Sequence, residues 1–258
     1  MAHRSPRTAP PRATARRSAA APLLAVLAAL ALLVTVTGCQ SGAPTAAGPP
    51  PPPPLPQGAE LLTKAATAME AVKSAQLSVQ VDPALTTVPI RSAQGVLTAT
   101  GQAKGTATLS QGSDNAEFTF VIADQSIYLK GPTGGYQQLP LALAAGIYDP
   151  TALLDPARGV ATLLRSANSA KTEAAEDVDG VPTYRVHATL DPRAMSSVVP
   201  GVTPPPESPP TGTVWLDQRT SRMVKATLLV TTAPGARPAP VTVALSHFDE
   251  PVTITPPS

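Results

Sequence analysis

The chain has 258 residues, of which 43% are hydrophobic and 3% aromatic, and its formal net charge at pH 7 is +2. No cluster of lysine or arginine interleaved with aromatic residues follows residue 38, so the sequence gives no support for nucleic-acid binding. Cys39 is the only cysteine, which excludes an intramolecular disulfide and a cysteine-ligated metal site.

Residues 1–38 have the pattern of a removable export signal. An apolar run extends from Ala21 to Val34, and this segment contains no acidic residue. The run is too short to span a bilayer comfortably, which favours a signal over the alternative, an uncleaved membrane anchor. Arg16-Arg17 raises twin-arginine export as a second route, but the flanking residues favour the general secretory one. The basic residues before the run are Arg4, Arg7, Arg12, Arg16 and Arg17.

Removal of the signal changes the charge of the protein. The whole chain has 19 basic and 17 acidic residues, so loss of the five arginines leaves 14 against 17, a net charge near −3. The basic isoelectric point therefore describes the precursor and not the mature chain.

A lipidation motif ends the signal. Val36, Thr37 and Gly38 are small residues that fit the subsites of a signal peptidase, and the thiol of Cys39 takes a diacylglyceryl group. The alternative is a cysteine that ends a hydrophobic segment by chance. Two or three acyl chains give stable anchoring, at roughly 0.8 kcal/mol for each buried methylene. We therefore predict an exported lipoprotein held on the outer face of the cell membrane through Cys39.

A proline-rich tether follows the lipidated cysteine. Pro49–Pro54 is unbroken, and such a segment favours extended polyproline II structure. Residues 40–58 reach on the order of 60 Å when extended. The other interpretation of a proline run, a ligand for an SH3-type domain, is discounted in an exported bacterial protein. We thus predict a signal peptide at 1–38, a lipidated tether at 39–58 and a single domain at 59–258.

The first half of this domain begins with a predicted amphipathic helix, Ala59–Ala75, on which apolar residues recur at helical spacing. Alternating segments then predict antiparallel strands, with turns at Gly112–Asn115 and Ala123–Gln125. The predicted strands are Gln76–Val81, Gly95–Thr100, Gly105–Ser110, Ala116–Ile122 and Ser126–Lys130.

The second half repeats the order of helix and strands. A helical region is predicted at Pro150–Asn168, and Asp191 is expected to cap a short helix with Pro192 at its first position. The pattern as a whole predicts an α+β domain with a largely antiparallel sheet. The predicted strands are Lys171–Asp177, Val181–Leu190, Gly212–Leu216, Met223–Thr231 and Val241–Phe248.

Several segments together resemble a family of lipoproteins. The helical segment Ile147–Lys171, the hairpin Val178–Val186 and the strand Thr213–Asp217 are similar to those of the LppX/LprA/LprF/LprG lipoproteins of mycobacteria and relatives, most of all the LprG branch. Asp124–Tyr128 is similar to the strand that precedes the helical segment. The likeness extends from about Glu60 to Val252, with departures at Ile90–Lys104 and at the proline-rich loop Pro204–Pro210.

The resemblance implies a strongly curved antiparallel sheet, a half-barrel, with helices that close its concave side around a hydrophobic cavity. It also implies an acylated lipid or glycolipid ligand, transfer of that ligand across the envelope, and a major-facilitator transporter as partner. We expect a monomer without a cofactor.

The spacing of apolar residues along the strands and the helical segment indicates candidate residues for the cavity. For each of them plain core packing is an equal alternative, because a cavity wall and a core look alike in sequence. Small inward positions, for which we take Ala107, Ala226 and Ala244, would leave room inside. The wall candidates are Ala107, Leu109, Phe118, Phe120, Ile122, Val224, Ala226 and Leu228, and the lid candidates are Leu153, Leu163 and Leu164.

Catalytic and metal-binding patterns are lacking in the sequence. His187 and His247 each stand alone on a predicted strand, and no nucleophile elbow or zinc-type histidine pair occurs. Asp177–Gly180 has some features of a calcium loop, but the closing glutamate is missing and a hairpin turn explains it. The tyrosines, which would contact a lipid head group, have no catalytic partner: Tyr128, Tyr136, Tyr148 and Tyr184.

Three hypotheses follow. The first is a lipid-binding and transfer lipoprotein, which predicts a ligand that copurifies with the domain. The second is a structural or partner-docking envelope lipoprotein with a solid core and no ligand. The third, a lipid-modifying hydrolase, is disfavoured because neither nucleophile nor base can be identified.

Overall fold

Antiparallel strands make up most of the computed structural model, which describes residues 53–112, 114–144, 150–199, 202, 204–205, 207–233 and 235–257. The strands are β1 (Ser74–Val81), β2 (Ile90–Thr98), β3 (Ala103–Gln111), β4 (Asp114–Ala123), β5 (Ser126–Lys130), β6 (Gln137–Pro140), β7 (Asn168–Val178), β8 (Val181–Thr189), β9 (Thr211–Asp217), β10 (Met223–Val230) and β11 (Ala239–Ser246). The helices are α1 (Gly58–Glu70), α2 (Leu141–Ala144), α3 (Val160–Ser166) and α4 (Pro192–Val198), with a 3₁₀ helix at Pro150–Leu154.

The strands form one open sheet in the order β6-β5-β4-β3-β2-β1-β11-β10-β9-β8-β7. Every neighbouring pair is antiparallel, and the first and last strands, β1 and β11, pair in the middle. The edges are β6 and β7. The edge strand β6 is short and ends at Pro140, while β7 has charged residues and register shifts, and both features oppose edge-to-edge association.

One face of the sheet is buried. On β1, Leu77 and Val79 point to this face, and on β11 their partners Leu245 and Val243 do the same. We call this the inner face and the opposite one the outer face. Because side chains alternate along a strand, the residues between them, such as Ala244, lie on the outer face. The prediction that Ala244 points inward is therefore wrong.

Helices cover the inner face. Leu61, Leu62 and Met69 of α1 are buried in the same core cluster as the inner-face residues of β1 and β11. Burial of each such side chain contributes about 2 kcal/mol. The predicted α+β fold, with an antiparallel sheet and helices on one side, is thus confirmed. Since all these elements lie between Gly58 and Ser246, this part of the chain has its own core and is expected to fold without the residues before it.

Capping and turn chemistry explain the ends of several elements. The carboxylate of Asp191 accepts hydrogen bonds from the backbone N–H groups of Arg193 and Ala194, so the predicted N-cap of α4 is confirmed. Asp124 and Gln125 both have positive φ and form a two-residue turn between β4 and β5, so the predicted turn Ala123–Gln125 is confirmed except that Ala123 belongs to β4.

Other boundaries differ from the prediction. Helix α1 ends at Glu70 instead of Ala75, because Ser74 already pairs with Thr98 of β2. Strand β2 begins at Ile90 and not at Gly95, and Asp114 already belongs to β4 and not to a turn.

The predicted helical region Pro150–Asn168 is divided by a turn. Asp155 accepts a hydrogen bond from the backbone N–H of Ala157, and Gly159 N–H donates to the Asp155 carbonyl at 2.8 Å. A Cβ at Gly159 would lie 2.4 Å from the Leu153 carbonyl oxygen, so only glycine fits this turn. The 3₁₀ helix and α3 are the two short pieces that result.

Two glycines face each other at the centre of the β2–β3 pair. Gly95 pairs with Gly105, and a Cβ added to Gly105 would lie 2.0 Å from the Gln94 carbonyl oxygen. A Cβ on Gly95 would lie 2.3 Å from the Lys104 carbonyl oxygen. The two backbones thus approach more closely here than any side chain allows, as expected where a sheet bends sharply.

The outer face carries a polar ladder across β7 to β10. The indole N–H of Trp215 donates to Glu176 at 2.6 Å, and Arg185 forms an ion pair with the same carboxylate at 3.1 Å. The ammonium of Lys225 lies 5.0 Å from the centre of the Trp215 ring. These groups satisfy one another, so this part of the outer face is a solvated surface.

The end of the chain returns across the outer face. Ile254 packs against Val121 and Ala123 of β4, and its carbonyl accepts a hydrogen bond from Gln102. Asp249 fixes the start of this segment. A hydrogen bond from the Lys73 backbone N–H, together with the Arg222 guanidinium, holds the pKa of the Asp249 carboxyl below its ordinary value.

Candidate functional site

Burial of the inner face decreases towards one corner of the sheet. On β4, Ile122 and Phe120 are 0% and 6% exposed, whereas Phe118 is only half-buried. The same change occurs along β3, from buried Ala103 to half-buried Leu109. Ala107, Leu109 and Leu129 pack only partly against the core cluster, so apolar residues stay accessible at this corner.

A cleft of about 460 Å³ lies at this corner, lined by apolar side chains and by the polar residues Gln111, Thr133 and Gln137. Its floor is formed by Ala116 and Phe118 of β4 and by Leu129 of β5. The loop from Gly131 to Gln137 forms one wall. A Cβ on Gly131 would lie 3.3 Å from the Phe118 ring, so this glycine lets the loop approach the aromatic floor. The volume is within the range of small-molecule sites.

Two apolar side chains of β6 and the loop before it are exposed. Tyr136 is 39% exposed, and the ammonium of Lys130 lies 5.9 Å from the centre of its ring. Leu139 of the edge strand β6 is 37% exposed and pairs with Ile127.

The predicted cavity residues fall into two groups. Ala107, Leu109 and Phe118 are half-buried and lie at or next to the cleft corner. Most of the others are buried in the core cluster, where the lid candidates of the 3₁₀ helix and α3 meet the sheet. These buried residues are Phe120, Ile122, Leu153, Leu163, Leu164, Ala226 and Leu228.

Val224 stands apart from both groups. The register of β10 against β9 shifts between Met223 and Lys225, so Val224 is the extra residue of a β-bulge and is only half-buried. It is absent from the core cluster, whereas Met223 is buried in it. The sequence analysis assumed strict alternation of side chains along this strand and therefore predicted Val224 on the inner wall. The bulge interrupts this alternation, so Val224 does not lie there.

The other predicted positions have ordinary surroundings. Tyr128 packs on the outer face beside Ile254, and Tyr184 packs against the core, so only Tyr136 among the described tyrosines lies at the cleft. Tyr148, together with Val36, Thr37, Gly38 and Cys39, lies outside the described residues.

The histidines and the apparent calcium loop have structural explanations. His187 shares a 3.3 Å hydrogen bond with Thr213 on the outer face, and His247 is exposed just after β11, which ends one residue before it. The Asp177 carboxylate accepts the Gly180 backbone N–H at 2.7 Å, which closes the β7–β8 hairpin. Within the described part of the chain, no group of three or more His, Cys, Asp or Glu residues is arranged to hold a metal ion.

Part of the cleft was missed by the sequence analysis. Leu129 follows Ile127 at a spacing of two within a predicted strand, so alternation could have identified it. The loop from Gly131 to Tyr136 and strand β6 carried no such signal, because Gln137–Pro140 neither alternates nor contains a β-branched residue.

Relatives with known names match almost the whole chain. The lipoarabinomannan carrier protein LprG of Mycolicibacterium smegmatis is 32% identical over 248 residues, which cover 95% of this chain and 99% of the relative. The lipoarabinomannan carrier protein LprG of Mycobacterium leprae is 27% identical over 238 residues, covering 91% of this chain and 95% of the relative.

Solved structures share the fold. The crystal structure of LprF from Mycobacterium bovis has a TM-score of 0.68 at 23% identity, covering 80% of this chain and 99% of LprF. LppX from Mycobacterium tuberculosis has a TM-score of 0.56 at 18% identity, covering 76% of this chain and 97% of LppX. No helix of the described residues is both long and apolar enough to cross a membrane. The model of the LppX_LprAFG lipoproteins matches residues 57–254, and the chain therefore belongs to the LppX/LprA/LprF/LprG lipoprotein family.

Proposed function

We propose that this protein binds multi-acylated lipids or glycolipids, with their acyl chains on the inner face of the sheet, and carries them across the cell envelope. The apolar cleft carries this proposal. Along β4 the inner-face positions Ala116, Phe118, Phe120 and Ile122 are all apolar, so the cleft floor continues into the core cluster without a polar side chain between them.

The hydrophobic effect alone provides enough affinity for such a site. A sixteen-carbon chain moved from water into apolar surroundings gains on the order of 12 kcal/mol before the costs of ordering are subtracted. Recognition then needs few polar groups, which agrees with the absence of a sharp motif in the sequence. The relatives named lipoarabinomannan carrier proteins support an acylated glycolipid as the ligand of this chain.

Acyl chains gain room beyond the cleft when the lid moves. Leu153, Leu163 and Leu164 are buried in the same core cluster as the inner-face residues of the sheet. Helix α3 has only seven residues, and no side chain caps its N-terminus. Arg165 of α3 forms an exposed ion pair with Glu70 of α1 at 2.5 Å. Helix α3 packs mainly on α1, and since a short uncapped helix depends on its apolar contacts, acyl chains that enter the core cluster can replace part of them. The cavity of this proposal is thus the space that opens in the core cluster between the lid and the inner face of the sheet.

The proposal includes the cellular setting that the sequence motif and the family resemblance predict. An acyl anchor on Cys39 holds the domain at the outer face of the cell membrane, where a major-facilitator transporter supplies or receives the lipid. The protein acts as a monomer and performs no covalent chemistry. Each of these points belongs to the proposal.

One observation favours a second function. The lid candidates are buried against the sheet in one packed cluster, which is also what a partner-docking lipoprotein with a solid core would have. In that case the apolar cleft is a contact surface for a protein and takes up no lipid.

Native mass spectrometry distinguishes the two functions. The chain from Gln40 to Ser258 is expressed in a host that makes mycobacterial-type lipids, purified without detergent and analysed before and after organic extraction. We expect a multi-acylated lipid at near-stoichiometric occupancy. A protein observed only at its bare mass, which also fails to take up added glycolipid, would establish the solid-core alternative instead.

A further inference from the structure

We propose that a polar pocket at one end of the inner face binds the sugar head group of a glycolipid whose acyl chains lie along that face. This inference rests on the proposed function and adds the site and the chemical class of the head group. The pocket lies at the opposite end of β3 and β4 from the cleft, because β3 begins beside the pocket and ends beside the cleft.

Two turns of the sheet and the 3₁₀ helix enclose this pocket, which has a volume of about 590 Å³. The turn from β2 to β3 contributes Thr100 and Gln102, and the turn from β4 to β5 contributes Asp124 and Gln125. From the 3₁₀ helix comes Thr151, which is buried. Residues that are far apart in the sequence thus place polar side chains around one space.

The polar groups of the pocket fit hydroxyls better than a phosphate. Hydroxyl, amide and carboxylate groups together donate and accept hydrogen bonds, as the hydroxyls of a sugar do. Arg158 is the one cation among the described residues that line the pocket, and the Asp155 carboxylate pairs with it at 2.8 Å. Asp124 adds a negative charge to the lining, so the pocket has no excess of positive charge for an anion.

The side chains of the β4–β5 turn are available to a ligand. Within the described part of the chain, neither the Asp124 carboxylate nor the Gln125 amide takes part in a hydrogen bond or an ion pair. Both residues are exposed, and their positive φ of 51° and 58° belongs to a tight turn. A sugar can therefore bind both groups without breaking a contact that they already make.

The pocket adjoins the surface proposed for the acyl chains. Leu141 lines the pocket and also packs against the core cluster, and its backbone N–H donates to the Gln125 carbonyl at 2.9 Å. From Ala123 to Phe118, β4 covers about 17 Å. This is close to the roughly 15 Å that the acyl chains of one bilayer leaflet span. A lipid with its sugar in the pocket therefore reaches the cleft with its chains.

The pocket also shares residues with the lid. Thr151 belongs to the same 3₁₀ helix as Leu153, which is buried in the core cluster. The ion pair of Arg158 with Asp155 lies in the turn between this helix and α3, where Asp155 also accepts the Ala157 backbone N–H. A sugar in the pocket thus contacts the element that moves when acyl chains enter.

Competition between two lipids tests the pocket. The chain from Gln40 to Ser258 is offered a detergent-dispersed, equimolar mixture of diacylglycerol and monohexosyl diacylglycerol with identical acyl chains, and native mass spectrometry gives the bound ratio. The wild type should prefer the hexosyl lipid. Asp124→Gly combined with Gln125→Gly should lower this preference about tenfold, because two hydrogen-bonding side chains are lost, and should leave the diacylglycerol occupancy unchanged. Glycine accepts the positive φ of both positions, so the turn is retained.

Asp179→Gly is the matched control for this variant. Asp179 has the same φ of 51° as Asp124, but it lies in the β7–β8 turn and does not line the pocket. The substitution removes a carboxylate from a comparable turn, and the variant should keep the wild-type ratio of the two lipids. An equal loss of preference in the control would overturn the sugar site, since the charge of the protein would then act without the pocket.

The remaining outcomes separate the sugar site from the carrier function. The site is overturned alone if the wild type binds both lipids equally, if the glycine variant keeps the wild-type ratio, or if that variant loses both lipids alike. Phosphatidic acid with the same chains is a third competitor, and a wild type that prefers it to the hexosyl lipid would have a phosphate site instead. A wild type that takes up no lipid overturns the carrier function, and the sugar site with it.

Discussion

Replacing Phe118 by aspartate is expected to lower the affinity for an acylated lipid at least about tenfold. The side chain forms the floor of the cleft, at the point where the inner face changes from half-exposed to buried. A carboxylate there remains hydrated and keeps the neighbouring acyl methylenes away from the wall. Loss of two methylene contacts at about 0.8 kcal/mol each corresponds to this factor of ten.

Thr119→Asp provides the matched control for this substitution. Thr119 is the next residue of β4, is also half-buried and lies on the outer face, where its partners are Thr106 and Lys130. The Thr119→Asp substitution introduces the same charge on the same strand as Phe118→Asp. Lipid occupancy in native mass spectra should remain that of the wild type. Equal loss of occupancy in both variants would mean that the charge acts through general destabilisation and not through the cleft.

Replacing Gly105 by alanine is expected to lower the free energy of unfolding by about 2–3 kcal/mol. The new Cβ would lie 2.0 Å from the Gln94 carbonyl oxygen and 2.7 Å from the Gly95 Cα, contacts that real structures do not contain. Strands β2 and β3 must therefore separate at the centre of the sheet, and the pairing on both sides of the glycines is weakened. Urea unfolding followed by circular dichroism measures the change.

The control for the glycine prediction is Gly135→Ala. A Cβ on Gly135 meets no atom within 4 Å, and the residue has no positive φ, so the midpoint of unfolding should shift little or rise slightly. A Gly105→Ala variant as stable as this control would show that the two strands can move apart without loss, and the glycine pair would then have no role in shaping the sheet.

Alternation of apolar residues predicted most of the sheet because each strand has one buried and one solvated face. Ser126–Lys130 has the predicted bounds, and Asp191 caps its helix as expected. Prediction from the local sequence fails where a strand forms only because residues far along the chain pair with it. Strand β6 exists because Gln138 and Leu139 pair with β5, and nothing in their own sequence requires a strand.

The site was harder to predict than the fold. A wall that faces a lipid and a wall that faces a helix need the same apolar residues, so Phe118 and Phe120 look equivalent in sequence. Only the structure distinguishes them, since it shows Phe118 half-exposed and Phe120 buried. The bulge at Val224 arises from the register of two strands, which a count along one strand does not contain.

Photochemical crosslinking tests most directly whether acyl chains occupy the inner face. A phosphatidylinositol with a diazirine on one acyl chain is bound to the chain from Gln40 to Ser258, irradiated and digested with trypsin. We expect adducts on peptide Gly105–Lys130, which contains Phe118 and Leu129, and on Gly159–Arg165 of the lid. Adducts that fragment-ion spectra place only on outer-face residues, such as Val121 and Ile254, would contradict the account.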